Sequence, residues 1–235
     1  VWIISTEKHE IPEMLACYVP NGEQKTMVLP DGSYVQLNSG SLLIYPSEFT
    51  KTKRQVYLSG EANFTVESDE KKPFIVNAGI LSIEVLGTKF NIESYPGSGF
   101  ITTTLENGSV RIYKATIPSA AVTIVPDEQL VYASYENRFI RKTVNANDYA
   151  AWTTGELRFM NKTLEEILFT LERKYDVRFL VDTEIKDSDL FTMKFKAHET
   201  VEDALYVLGE IMGTITYKRD GQTIRLNLKS KEVTR

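Results

Sequence analysis

Between Leu29 and Ile92 the chain sets five short segments in order, LPDGSYVQLN, YP, LSGEANFTV, PFIVNAG and VLGTKFNI, joined by residues that alternate apolar and polar. Such a series admits short strands and tight corners and little else. Pro30 fixes φ, Asp31 hydrogen-bonds its own backbone and Gly32 accepts positive φ, so Pro30-Asp31-Gly32 reads as a turn between two strands. Gly60 and Gly87 fall inside strand-like runs. A glycine there marks a bulge or a close backbone approach, which predicts corners at Leu58-Ser59-Gly60-Glu61-Ala62 and Val85-Leu86-Gly87-Thr88.

The alternation continues to residue 144, with strands expected at 25–29, 34–37, 55–58, 63–67, 74–77, 82–86, 89–93, 101–105, 110–114, 122–125, 130–135 and 139–144. Turn signals at Asp31-Gly32, Pro96-Gly97, Asn107-Gly108, Pro126-Asp127 and Glu136-Asn137 separate them at the spacing of about 8 to 12 residues found in all-β domains. Asn107-Gly108 reads as a hairpin, since that dipeptide favours a type I′ turn. No helix of normal length fits. A twisted sandwich and a short solenoid share this alternation and turn spacing, so both remain open.

The pattern changes after Asn145, where residues 147–152 suit one helical turn and Trp152 and Gly155 lead into a new strand. Two helices follow. Each opens with a capping box, Thr163 with Glu166 and Thr200 with Asp203, in which hydroxyl and carboxylate satisfy exposed amides. Leu164, Ile167, Leu168 and Leu171 share one face of the first; Val201, Ala204, Leu205 and Leu208 repeat that face 37 positions later. The half is therefore read as a duplicated β-α-β unit, and two such short copies need one shared core. The expected organisation is a leading segment 1–20, an all-β domain 21–145, a linker 146–154 and an α/β domain 155–230.

Composition sets limits on function. A net charge of -5 argues against nucleic acid, because phosphate binding needs a cationic surface. Arg138, Arg141 and Lys142 are close together, yet on a strand they suit a solvated face. The single Cys17 precludes an internal disulfide framework and lies in no nucleophile motif. His9 and His198 lack neighbouring ligands at metal spacing. Glu165-Glu166 and Glu202-Asp203 sit in first helical turns, where carboxylates complement the helix dipole. No apolar run of 18 residues is present. The reading is of a non-enzyme without metal or cofactor.

The motifs in their order resemble the periplasmic domain of FecR-family anti-sigma regulators, in which LPDGS.V.LN, GEA.F.V, PF.V and LGT.FN recur. Here these are Leu29, Pro30, Asp31, Gly32, Ser33, Val35, Leu37 and Asn38; Gly60, Glu61, Ala62, Phe64 and Val66; Pro73, Phe74 and Val76; and Leu86, Gly87, Thr88, Phe90 and Asn91. Trp152, Gly155, Leu157, Phe159, Leu164, Ile167, Leu171, Glu172, Arg173 and Tyr175 resemble the C-terminal domain that follows in such regulators, similar to the short secretin and TonB N-terminal (STN) fold. One departure is Pro126-Asp127, where relatives commonly carry Pro-Gly; Asp tolerates the left-handed geometry.

The resemblance implies a periplasmic signal relay anchored in the inner membrane. Segment 1–20 would be juxtamembrane, with a transmembrane helix and a cytoplasmic sigma-binding domain upstream. The implied partners are the signalling domain of a TonB-dependent outer-membrane receptor and an extracytoplasmic-function (ECF) sigma factor. The candidate receptor contacts are a strand edge of the C-terminal domain, with Leu190, Thr192, Lys194 and Lys196 or Thr223, Arg225 and Asn227 on it, and the groove between the domains. The alternative from a different class is a periplasmic or cell-surface glycan- or peptide-binding module that uses the β half.

Overall fold

The computed structural model describes residues 12–183, 185 and 189–228. Thirteen strands come first: β1 (Met14–Tyr18), β2 (Lys25–Val28), β3 (Tyr34–Leu37), β4 (Leu42–Pro46), β5 (Arg54–Thr65), β6 (Phe74–Ala78), β7 (Leu81–Val85), β8 (Lys89–Ser94), β9 (Phe100–Asn107), β10 (Val110–Lys114), β11 (Ile117–Ile124), β12 (Glu128–Ala133) and β13 (Arg138–Thr143). They form one sheet with two wings. The first wing runs β1-β4-β5-β6-β7-β10-β11 and the second β2-β3-β5-β8-β9-β12-β13, with β5 common to both.

β5 is shared because it bends. Its first half pairs with β4 and, in parallel, with β6; from Gly60 onward it pairs with β8 and its second half with β3. Gly60 has φ of 117°, and a Cβ there would lie 2.4 Å from Ser41 Oγ and 2.6 Å from Ser41 Cα. The expected corner at Gly60 is thus real, but it folds one continuous strand where the sequence suggested two. After β5, hairpins alternate between wings: β6-β7, β8-β9, β10-β11, β12-β13. The body is a twisted sandwich whose chain advances in a solenoid-like way.

Alternate residues of both wings point into a single core. Leu43, Val56, Phe74, Val76 and Ile83 from the first wing meet Val35, Leu37, Phe64, Phe90, Ile92 and Leu105 from the second, all fully buried. Phe64 stacks on Phe90 at 5.3 Å and meets Phe74 at 6.1 Å. At about 1.5–3 kcal/mol per buried large apolar side chain, this core is what holds the wings together.

Two expectations are corrected. Asn107-Gly108 is not a hairpin turn: β9 pairs with β8 and β12, while β10 pairs with β7 and β11. Gly108 instead carries the chain between wings against Gly87 O and Thr88, where a Cβ would come within 3.0 Å of that carbonyl. The sheet also begins earlier than residue 21, since β1 pairs with β4 and buries Cys17; residues 1–11 of the leading segment lie outside the described residues. The segment 146–154, expected as a linker with one helical turn, forms a short helix α1 (Ala146–Tyr149) and a 3-10 turn (Ala151–Thr154) that bury Ala146, Ala151 and Trp152. Asp127 does adopt left-handed φ, 63°, as the Pro-Asp turn predicts, and its carboxylate accepts the Ala146 N–H.

The second half contains β14 (Leu157–Lys162), α2 (Leu164–Tyr175), β15 (Arg178–Val181), β16 (Phe191–Phe195), α3 (Val201–Met212), β17 (Ile215–Asp220) and β18 (Thr223–Leu228). Helices α2 and α3 start and end 37 residues apart, carry both expected capping boxes, and stop at left-handed residues also 37 apart, Asp176 and Gly213. Their predicted apolar faces are buried in one cluster with Leu157, Phe159, Phe179, Phe191, Phe195, Ile224 and Leu226. β14 pairs with β16, and β18 lies between β15 and β17. Among the described residues no helix is long and apolar enough to cross a membrane.

Candidate functional site

Most motif residues of the first half build the scaffold. Asp31 accepts from Ser33 N and Oγ, closing the turn at Gly32, and pairs at 2.9 Å with Arg54, whose side chain is 2% exposed. Arg54 also donates to Lys72 O and Glu67 O, so one cation ties the Pro30-Asp31-Gly32 turn to the loop after β5. Leu29, Phe64 and Phe90 are core; Gly87 packs against the Ser68 backbone; Thr88 donates to Ser109 O.

The remaining motif residues converge elsewhere. Across the outer face of the second wing, register places Gln36, Asn63, Asn91, Thr104, Gln129 and Lys142 side by side on successive strands. Asn63, Asn91, Thr104 and Gln129 are nonetheless buried, because the 145–154 segment and its neighbours cover this face. Trp152, buried, donates its Nε1–H to Asn91 Oδ1 at 3.1 Å, and its carbonyl accepts from Gln24 Nε2 at 3.1 Å.

Glu61 occupies the next row of that face. Its two carboxylate oxygens accept from Asn91 Nδ2 at 2.9 Å and Asn38 Nδ2 at 2.8 Å. Each amide is held in that orientation from behind: Asn91 Oδ1 is taken by Trp152, and Asn38 Oδ1 by Ser39 N and Gln24 Nε2. Directly opposite Glu61 on β8 stands Glu93. Burial, reinforced by the Glu93 charge, pushes the Glu61 carboxyl up to about 7, against the pull of Asn38, Asn91 and Arg173.

Cations from the second half face this pair. Arg173, near the end of α2, stacks its guanidinium 3.8 Å above the Tyr95 ring and attracts Glu61; its carbonyl accepts Gly22 N–H at 2.7 Å. Tyr95 in turn donates to Ser39 O at 2.8 Å, and burial raises its phenol well above the ordinary range. For Lys162 on β14, burial works against the charge, but Glu93 and Glu166 outweigh it and hold the ammonium above its usual range. A narrow cleft between the halves is lined by Gln24, Asn38, Ser39, Trp152, Arg173 and Lys174. Gly155, left-handed at φ 85°, ends the 3-10 turn and offers its carbonyl to Lys174.

This constellation lacks a nucleophile paired with a base; it is a joint of amides, carboxylates and cations between two halves. Asn38, Glu61, Asn91, Trp152 and Gly155 were singled out by motif, whereas Glu93, Tyr95, Lys162 and Arg54 carry no local signal. Arg173 belonged to the C-terminal resemblance, without a role.

Of the expected edge residues, the structure corrects one set. Thr223, Arg225 and Asn227 lie on β18, the central strand of its sheet, where both sides already pair and no further strand can add. Leu190, Thr192, Lys194 and Lys196 are exposed along β16, an outer strand; Lys194 pairs with Glu156 at 3.3 Å and Thr192 Oγ1 accepts Asn161 N–H. β14 and β17 are outer strands too, and so is β15. It borders an open, largely apolar groove of about 340 Å³ lined by Leu164, Leu168, Phe169, Phe179, Val181 and Ile185, with Glu165 and Glu172 among them. Since Arg178 and Asp182 donate toward β18, the intervening N–H groups of Phe179 and Val181 turn outward, and Glu172 Oε1 accepts the first at 2.6 Å.

Comparison with known proteins gives a consistent result. A family model for FecR protein matches residues 17–111 and one for the FecR C-terminal region matches 156–226. A candidate anti-sigma factor from Parabacteroides distasonis ATCC 8503, solved by crystallography at 1.65 Å, superposes with a TM-score of 0.86 at 30% identity, covering 92% of this chain and 100% of that one. A second structure of an anti-sigma factor so described from the same organism, at 2.50 Å, gives 0.86 at 29% identity over 93% and 100%. No curated protein matches the chain.

Proposed function

Because the chain belongs to the FecR family of anti-sigma factors, which is regulatory and not enzymatic, we propose that it is the periplasmic signal-relay region of a membrane-anchored anti-sigma factor. It receives the state of a TonB-dependent outer-membrane receptor from that receptor's signalling domain. It thereby controls release of an ECF sigma factor held by a cytoplasmic part outside these residues. Such a relay requires a surface whose partner affinity differs between receptor states, since equal affinity for both shifts nothing.

The observation that carries the reading to a surface is the β15 edge beside the α2 groove. An added strand gains main-chain hydrogen bonds from the outward Val181 N–H, and from Phe179 N–H once Glu172 Oε1 gives it up, and its alternate side chains enter the groove. Calorimetric titration of the chain with isolated signalling domains of receptors from its source tests this. Val181→Pro removes an outward N–H without touching the β15-β18 ladder and is expected to weaken binding about tenfold or more. Leu190→Asp, beside β16, leaves affinity unchanged. Equal affinity of Val181→Pro and wild type, or loss only with Leu190→Asp, would move the site off β15.

A further inference from the structure

The outer strands of the second half differ in how their edges are guarded. β14 carries Arg158 paired with Asp148, β16 carries Lys194 paired with Glu156 at 3.3 Å, and β17 carries Arg219 paired with Glu202. Charged side chains along an edge are a common protection against further pairing. β15 has none between Arg178 and Asp182, where it reads Phe179-Leu180-Val181. Its guard comes from α2 instead.

Glu172 stands about two helical turns beyond Glu165, a rise of about 10.5 Å, with Leu168 and Phe169 between them. These two carboxylates are the charged side chains among the described lining of the groove, and the rest of that lining is apolar. The Glu172 carbonyl accepts Val177 N–H at 3.2 Å and helps end the helix, while its side chain accepts Phe179 N–H at 2.6 Å. The carboxylate therefore holds the place that a carbonyl of an added strand would take. Once displaced, it faces an apolar groove, where an unpaired carboxylate is costly. A lysine or arginine on the incoming strand removes that cost with a charge-assisted hydrogen bond. An acidic strand is repelled by both Glu165 and Glu172.

We infer that the β15 edge selects a basic strand, with apolar side chains facing the groove and one lysine or arginine placed to meet Glu172. Glu172 is gate and selector: it gives up the Phe179 N–H to an occupant that brings a cation. In the exchange, Phe179 N–H passes from Glu172 Oε1 to the incoming carbonyl, and the carboxylate passes to the incoming cation. This occupant chemistry rests on the β15 reading of the relay.

Nuclear magnetic resonance titration of the isotope-labelled chain tests it with three synthetic peptides. They alternate threonine and valine and differ at one groove-facing position, which is arginine, glutamine or glutamate. The arginine peptide is expected to shift the Phe179 and Val181 amides with about tenfold higher affinity than the glutamine peptide, and to lose that margin in Glu172→Gln. Glu172→Ala leaves the Phe179 amide open, so the glutamine peptide binds this variant more tightly than wild type. Equal affinities of the arginine and glutamate peptides for wild type, or no shift at 178–181 with any peptide, overturn the selection. Dimerisation of the chain that Val181→Pro abolishes would give the edge to a second copy and overturn it as well. With a receptor signalling domain as titrant, binding lost in Val181→Pro but unchanged in Glu172→Gln leaves the relay standing and removes the gate. Peptide selectivity without binding of any signalling domain does the reverse.

Discussion

Replacing Asp31 by alanine removes one partner of a buried ion pair. Arg54 then keeps its charge at 2% exposure, with Nη2 already lacking a hydrogen-bond partner among the described residues and the Phe74 ring 5.5 Å away. Breaking such a pair from one side costs about 3–5 kcal/mol, because the remaining charge is uncompensated. The carboxylate also accepts Ser33 N at 3.1 Å and Ser33 Oγ at 2.7 Å, bonds worth about 1 kcal/mol each that partly overlap with the first loss. The expected total is about 4–6 kcal/mol, comparable with the whole stability of a modest domain. Arg54→Met costs less, about 2–4 kcal/mol, since Met fills the apolar site and Asp31 keeps its Ser33 bonds. Urea unfolding followed by circular dichroism measures each variant and the double variant, whose cost should fall short of the sum by about 2–3 kcal/mol. An Asp31→Ala cost under about 1 kcal/mol, or simple additivity, refutes the clamp.

Gly60→Ala should prevent folding or lower stability by more than about 3 kcal/mol, since it combines positive φ with overlap on the Ser41 backbone, whereas Gly97→Ala, with φ of 82° and nothing within 4 Å, costs only about 1–2 kcal/mol of backbone strain; thermal melts compare them. The folded state raises Glu61 from 4.5 to about 7 and so binds a proton that the unfolded chain releases. Its contribution is therefore full below about pH 4.5 and lost as pH rises through 7, and a Glu61→Gln variant should lack that decline in a pH series of unfolding curves. Thr163→Ala removes the hydroxyl that caps α2 and should cost about 1 kcal/mol in urea.

Legibility in the sequence followed how local the cause was. The helix starts were legible to the residue because capping boxes and apolar faces repeat within a single element, and the duplication repeated the spacing. Turn chemistry gave the Pro30-Asp31-Gly32 turn and the left-handed Asp127, each a matter of two or three neighbours. Gly60 was read as a corner, but whether a corner ends a strand or bends it depends on Ser41, which packs against it from another strand. Asn107-Gly108 misled for the same reason: its hairpin preference is local, and Gly87 O with Thr88 set the chain's path between wings. The polar ladder was least legible. Asn63, Asn91, Thr104 and Gln129 alternate with core residues as solvent-facing positions do, and what covers them is encoded forty or more residues beyond Thr104. β18 reads like any alternating strand, and only the parallel pairing with β15 shows it to be central.

The central claim is that a receptor's signalling domain reads this chain through its second half. Hydrogen–deuterium exchange of the chain with and without that domain tests it most directly. The account predicts protection of residues 178–181 and of the α2 face beside them, with altered exchange in 146–154 as the joint responds. Protection confined to the β half, with 156–226 unchanged, would contradict it.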